Sequence, residues 1–317
     1  MIISLFPLVP HDTKIDFFGH RFYAFMASMI IIGGSLLCLS IKGLNFGIDF
    51  TGGTLIEIAV PVDPDLGALR EDLKGLQLGE VPIQEFGAKR SLMIRLAQQG
   101  GSPDVQKAAI EKVKGELDKT FGAGKVDYRR IEFVGPQVGK ELKRDGALAI
   151  VVAILGIVAY ILFRFRWQYG VGAFLALLHD VIGILGLFSL TQMPFDLSTL
   201  SAILLVAGYS INETVIIFDR VRETLRKYKK TPMQEIINFS INSTLPRTIM
   251  TSGSTLLALL ALWLFGGLVI RSFVSALFLG ILIGTHSSYF VSTPSLYYLK
   301  LRPPVGDDAE AVNGAPA

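Results

Sequence analysis

The sequence predicts a polytopic α-helical membrane protein: six transmembrane helices, with a small α+β domain of ferredoxin-like βαββαβ order inserted between the first and second. Three observations carry this. Of 317 residues, 51% are hydrophobic and only 18% charged, and mean hydropathy is +0.50, more apolar and less charged than soluble globular chains. Six apolar stretches, at about 22–41, 145–163, 170–190, 197–219, 248–266 and 270–292, each approach the ~20 residues that cross hydrocarbon at ~1.5 Å rise per residue. Between the first two, residues 54–134 alternate between strand and helix periodicity.

In chain order, residues 1–21 are short and amphipathic, with Phe17, Phe18 and, just beyond, Phe22 near the membrane edge, and are expected to lie at the cytoplasmic interface. The first span exceeds a signal-peptide core and no small-residue cleavage pattern follows, which predicts an uncleaved anchor. It holds the single cysteine, Cys38, so neither an intrachain disulfide nor a cysteine metal cluster is available. The span leaves through GLNFGIDFTGG, where Gly47, Gly52 and Gly53 around Asp49 suit tight turns and positive φ.

In the insert, TLIEIAV places Ile56, Ile58 and Val60 on one face of a strand. Asp63 can cap and Pro64 open a helix bearing Leu66, Leu69, Leu73 and Leu76. VPIQEF and SLMIRLA read as a hairpin; Ser102 and Pro103 start a second helix with Val105, Ala109, Val113 and Leu117 as its apolar stripe; VDYRRIEFV closes the sheet. No phosphate loop, metal spacing or nucleophile pair stands here, and no cofactor is expected. After Gly135 and Pro136, Lys140, Lys143 and Arg144 form a basic extramembrane turn that completes the inserted unit at 42–144 and reads as the solvated entrance of the next helix, a hinge between membrane and domain being the alternative.

The third span carries His179 and Asp180 at its centre. Neighbours lie ~100° apart around a helix, so the two do not both face one partner; a polar packing pair and part of a proton path both stay open. The fourth carries Gly208, Tyr209, Ser210, Asn212 and Glu213 in one polar patch. An acid at the centre of a span costs roughly 2.5–3.5 kcal/mol on insertion scales, so one retained there is functional by default. Arg247, at the mouth of the fifth span, is its expected partner, and a displacement of a few Å between the two would load and unload a proton. Asn212, Asp180, His179 and Thr251 are candidate support for that path, Thr251 as part of a small polar stripe with Ser254, Thr255 and Ala258. Gly280 and Gly284 in the sixth span form a small-xxx-small frame for helix packing.

Orientation follows from Lys and Arg. Lys14, Arg21, Arg164, Arg166, the cluster from Arg220 to Lys230, Lys300 and Arg302 fall on one side, which puts both termini in the cytoplasm and the insert outside. The loop at 220–247 is expected to form an amphipathic helix, a turn at Thr231 and Pro232 and a second short surface helix, its basic cluster attracting anionic lipid. Without stacking aromatics or a reading fold, nucleic acid is not an expected partner. The tail, 293–317, rich in proline, alanine and acid beyond residue 301, is expected to be disordered.

One span, an external domain and five further spans make up half of a resistance-nodulation-division transporter. Within that frame GIDFTGG at 47–53, VGPQVGKEL at 134–142, LHDV at 178–181, AGYSINETVIIFDRVRE at 207–223, NSTLPRTIMTS at 242–252 and FGG at 265–267 resemble the SecD/SecF family of bacterial protein-export membrane subunits. The resemblance covers roughly residues 15–300. It implies a SecF-type subunit of the inner membrane, with SecD supplying the other six spans, alongside the SecYEG channel and, indirectly, the SecA motor, and using the proton motive force on preproteins late in translocation. It places Glu213 at the family's intramembrane acid, where many relatives carry Asp, and Arg247 at the basic residue needed for proton passage. The alternative is half of a proton-driven exporter of small molecules or lipids. An intramembrane hydrolase built on His179 with Asp180 lacks a nucleophile at an elbow, so no enzyme is expected.

Overall fold

The computed structural model describes residues 13–79, 81–86, 88–100, 103–267 and 270–301. From the N-terminus, α1 (Arg21–Lys42) leads through the single turn α2 (Ile48–Thr51) into β1 (Gly53–Ala59), α3 (Leu66–Lys74), β2 (Ile83–Phe86), β3 (Ala88–Leu96), α4 (Pro103–Phe121) and β4 (Asp127–Val134). There follow α5 (Pro136–Arg164), α6 (Trp167–Thr191), α7 (Leu197–Lys227), α8 (Met233–Phe265), α9 (Arg271–Ser287) and, after a π-helical turn at Ser288–Ser292, α10 (Thr293–Tyr298). Among the described residues six helical stretches are long and apolar enough to cross a membrane: α1, α5, α6, α7, α8, and α9 continued through α10.

The insert is a four-stranded antiparallel sheet in the order β2-β3-β1-β4. Alternation puts Ile56, Ile58, Leu92 and Ile94 on one face, where Leu69 and Leu73 of α3 and Ala109, Val113 and Leu117 of α4 cover them. Asp65, not the expected Asp63, caps α3, accepting from the amides of Gly67 at 2.8 Å and Ala68 at 3.2 Å. Asp63 is drawn instead to Arg90 at 2.8 Å. Ser102 lies outside the described residues.

The glycine-rich connector is a clamp between insert and bundle. Gly47 N–H donates to Phe195 O and Phe195 N–H to Asn45 O, both at 2.8 Å, and Arg95 of β3 donates to Asn45 Oδ1 at 2.7 Å. Asp196 is the N-cap of α7, its Oδ1 accepting the Thr199 amide at 2.8 Å, and Asp49 Oδ2, from 148 positions earlier, accepts the Leu197 amide at 2.9 Å. At Gly53 φ is +114° and an added Cβ would fall 2.4 Å from Leu96 O; only glycine fits there. Asp49→Ala is expected to lower stability by about 1 kcal/mol and Asp49→Asn, which keeps a capping oxygen, by less, measured by unfolding in detergent.

Lys140, Lys143 and Arg144 lie on the opening turns of α5, which starts at Pro136 and runs unbroken, in keeping with the expected solvated helix entrance. The second helix of the basic loop is not separate: α8 starts at Met233 and continues through Pro246 into the span. Of the N-terminal segment, the described part docks on the bundle. Ile15 and Phe18 give their amides to the side chains of Asn242 and Asn238 at 2.9 and 2.8 Å, and Phe17 packs 5.6 Å from the Tyr289 ring, so both phenylalanines bury their aromatic area. Finally, α9 does not run straight to residue 292. Thr293 Oγ1 donates to Ser288 O at 2.7 Å and Pro294 has no amide to give, which favours the wider turn. The tail expected to be disordered over 293–317 is ordered at its start, where Thr293–Tyr298 form α10 with Thr293, Pro294 and Leu296 buried; from residue 302 it lies outside the described residues.

Candidate functional site

The site lies where α6, α7, α8 and α9 converge. Small residues bring the helices together: a Cβ on Gly280 would fall 2.5 Å from Val206 Cγ2, and one on Gly284 would fall 3.0 Å from Ser210 Cβ and 3.5 Å from Asp180 Oδ2. With α9 this close to α7 and α6, side chains that would otherwise face hydrocarbon face one another.

Two linked polar groups fill the seam. In the first, Ser210 donates to Asp180 Oδ2 at 2.5 Å, His179 Nδ1 stands 3.4 Å from Asp180 Oδ1, and the His179 ring lies 6.0 Å from that of His286. His286 Nε2 is 3.0 Å from Ser28 Oγ, which brings in α1. In the second, one turn further along α7, Glu213 is 6% exposed. Its Oε2 accepts from the Thr285 hydroxyl at 3.1 Å; Thr285 is 3.4 Å from Ser252 Oγ, which accepts from Tyr209 at 3.2 Å. Thr248 and Tyr289 flank the same carboxyl, though among the described residues neither Glu213 Oε1 nor the Tyr289 hydroxyl makes a hydrogen bond of good length and angle. Beside them Thr214 and Ser288 share a hydrogen at 2.8 Å.

Glu213, Asp180 and His179 thus belong to one buried seam. Arg247 does not. Its side chain is exposed and, among the described residues, no ion pair joins it to Glu213. The reason is helical phase: Thr248 occupies the inward direction, and Arg247 lies ~100° away from it. Asn212, next to Glu213, is turned out in the same way, and Thr251 is exposed, its hydroxyl donating to Arg247 O at 3.0 Å. The inward face of α8 is Thr244, Thr248 and Ser252, not the stripe of Thr251, Ser254 and Ala258. Thr285, Ser252, Thr248 and Tyr289 are site residues that the sequence reading did not single out. The available signals were Thr248 and Ser252 at i, i+4 and Thr285 directly after a packing glycine.

The chemistry open to this arrangement is narrow. Among the described residues no group of three or more His, Cys, Asp or Glu stands where it could hold a metal ion. The Ser210 hydroxyl gives its hydrogen to the Asp180 carboxylate rather than to an imidazole. What remains is a buried acid among hydroxyls, able to bind and release a proton.

Residues 113–302 match the family described as "Protein export membrane protein SecD/SecF, C-terminal", and residues 39–60 the "SecD/SecF GG Motif". The chain belongs to the SecD/SecF family. Within it, the chain is 46% identical to the protein translocase subunit SecF of Rickettsia rickettsii over 93% of this chain and 95% of that one. It is 45% identical to the protein of the same name from Rickettsia prowazekii, over 93% and 94%. The crystal structure of SecDF, a translocon-associated membrane protein from Thermus thermophilus, superposes with a TM-score of 0.83 at 34% identity, covering 93% of this chain. A second crystal structure, SecDF in a super-membrane-facing form, gives 0.67 at 33% identity and 91% coverage. This chain spans about 40% of the length of those solved SecDF chains. SecD/SecF proteins are membrane transport subunits rather than enzymes, which removes the hydrolase reading.

Proposed function

We propose that this chain is the SecF-type half of a SecD–SecF complex that uses the proton motive force to promote late stages of Sec-dependent protein translocation across the bacterial inner membrane. Glu213 carries the reading: an acid in the middle of an apolar helix, buried, contacted by hydroxyls and unpaired with any cation among the described residues, in a chain whose relatives are named protein translocase subunits. A carboxyl placed so is a proton station, and a helix seam with discrete packings converts its occupancy into movement. The near-equal identities but different TM-scores of the two SecDF structures support an assembly with more than one arrangement of these parts.

In this reading both termini are cytoplasmic and the βαββαβ insert, ferredoxin-like in type, works on preprotein in the periplasm, beside the SecYEG channel with its SecA motor. The outward-turned Asn212, Arg247 and Thr251 then belong to the junction with SecD, so that Arg247 completes the proton path only in the complex. The test is expression of this chain with its SecD in bacteria lacking their own pair. Export into a protease-protected compartment is expected to rise, the rise to vanish when a protonophore collapses the gradient, and SecD to copurify. Normal expression with no gain, or a gain indifferent to the protonophore, would sink the reading.

A further inference from the structure

The strand order β2-β3-β1-β4 gives the sheet of the insert two outer edges. The β2 edge is short and partly taken: four residues preceded by Pro82, with Ile83 O accepting from Arg70 at 3.2 Å. β4 differs in each respect. It is eight residues long and holds neither proline nor lysine, and among the described residues no backbone hydrogen bond reaches it from any element but β1. On such a strand the amide and carbonyl of every second residue face outward. The register with β1 shifts at Glu57 and Ile58, so the even part of the edge runs from Arg130 to Val134. Ile131 and Phe133 stand opposite Ile56 and Thr54, on the helix-covered face, yet they are 40% and 49% exposed. Tyr128 does reach that cover, its hydroxyl donating to Lys114 O of α4 at 3.4 Å. On the other face Arg130 contacts Glu132 at 2.6 Å, and Arg129 lies 3.4 Å from Asp127, so the charges of the strand cancel in pairs.

Sheet edges are normally blunted by shortness, proline, lysine or a covering element, and among the described residues none of these protects Arg130 to Val134. The chemistry of the edge defines its occupant, which must bring backbone donors and acceptors at the spacing of an extended chain, with apolar side chains at alternate positions to cover Ile131 and Phe133. Neither a lipid nor a folded helix offers that row. We infer that the outer edge of β4 is a strand-addition site for an extended segment of a polypeptide in transit. Main-chain pairing reads no sequence, and two apolar contacts ask only for alternation, so one edge serves many unfolded chains. Because β4 ends at Val134 and α5 begins at Pro136, the added strand lies beside the root of a membrane span. The inference rests on the translocation reading for its occupant and adds the surface that holds it.

The experiment uses the complex of this chain with its SecD in nanodiscs, without a gradient. The probe is a fluorescent peptide of about nine residues, with Val at every second position and Thr or Lys between, followed by anisotropy. Methyl groups on the amide nitrogens of one alternate set of residues are expected to weaken binding at least about tenfold, and on the other set less than about twofold, because a strand turns one edge to its neighbour. Ile131→Lys with Phe133→Lys is expected to weaken binding about tenfold. Val105→Lys, the same change at an exposed position of α4, should weaken it less than about twofold. The methylated peptides need no variant and decide the matter if the lysine pair does not fold. Equal loss from both methylated sets, equal loss in Val105→Lys, or no binding at millimolar peptide would overturn the site. So would binding to the chain alone that vanishes in the complex, which gives the edge to SecD, or self-association of the chain that the lysine pair removes, which gives it to a second copy. Peptide held in the expected way while export ignores a protonophore would remove the translocation reading and leave the edge; gradient-driven export with no peptide held would do the reverse.

Discussion

Glu213→Gln is expected to abolish the gradient-dependent part of export while leaving the protein at its normal level, a loss of about a hundredfold in that component, the usual worth of a positioned proton-transfer group. Glutamine preserves the shape and the bond from Thr285, now 3.1 Å, so packing survives and only proton exchange is lost. Glu213→Asp keeps the carboxyl on a shorter arm and should retain most of the activity. Thr285→Val removes the donor without touching the acid and should give an intermediate loss, about 1 kcal/mol in the affected step. Arg247→Met separates two readings of that residue. Because its side chain is exposed, the change should leave the stability of the isolated chain within about 0.5 kcal/mol, yet impair gradient-dependent export in the complex. Initial export rates, with and without protonophore, in cells matched for protein level decide the matter. Undiminished export in the Gln variant would remove the proton station from Glu213.

The parts that sequence made legible are those written in local periodicity. Strand alternation in TLIEIAV gave the buried face of β1, and the leucine spacing of α3 selected Leu69 and Leu73. Two residues decided the cap: Asp63 and Asp65 are equally good capping residues, and what distinguishes them is the Asp63 contact with Arg90, 27 positions on and invisible to any local rule. The same holds for Asp49, whose bond to the first amide of α7, beside the N-cap Asp196, requires knowing that two segments 148 positions apart are neighbours. At α8 the difficulty is different. Both Thr248–Ser252 and Thr251–Ser254–Thr255 are polar rows at helical spacing, and periodicity says that a helix has such a face without saying what covers it. Where much of the surface of a chain awaits a second subunit, an outward polar row is no anomaly, so Arg247 and Glu213 looked like partners when only their depths were compared.

The second large effect is expected at Gly280. An alanine there would put its Cβ 2.5 Å from Val206 Cγ2 and 3.0 Å from Ile184 Cδ1, so α9 must retreat from α7 and α6 or Val206 must leave its place. Overpacking of this kind costs about 1–3 kcal/mol. Val206→Ala alone leaves a cavity and should cost about 1–2 kcal/mol. In the double variant the new methyl enters the space the valine vacated, and the two costs should combine to less than their sum, by about 0.5–3 kcal/mol. Gly208→Ala, where an added Cβ meets nothing within 4 Å, is the control and should gain about 0.5–1 kcal/mol from helix propensity alone. All four are measured by unfolding of the chain in detergent. The consequence reaches the acid, because Thr285 lies five positions along α9 from Gly280 and retreat of that helix withdraws the hydroxyl from Glu213. Gly280→Ala should therefore lower gradient-dependent export and Val206→Ala restore part of it. Simple additivity in both stability and export would mean that the seam is held by something other than the close approach of these two helices.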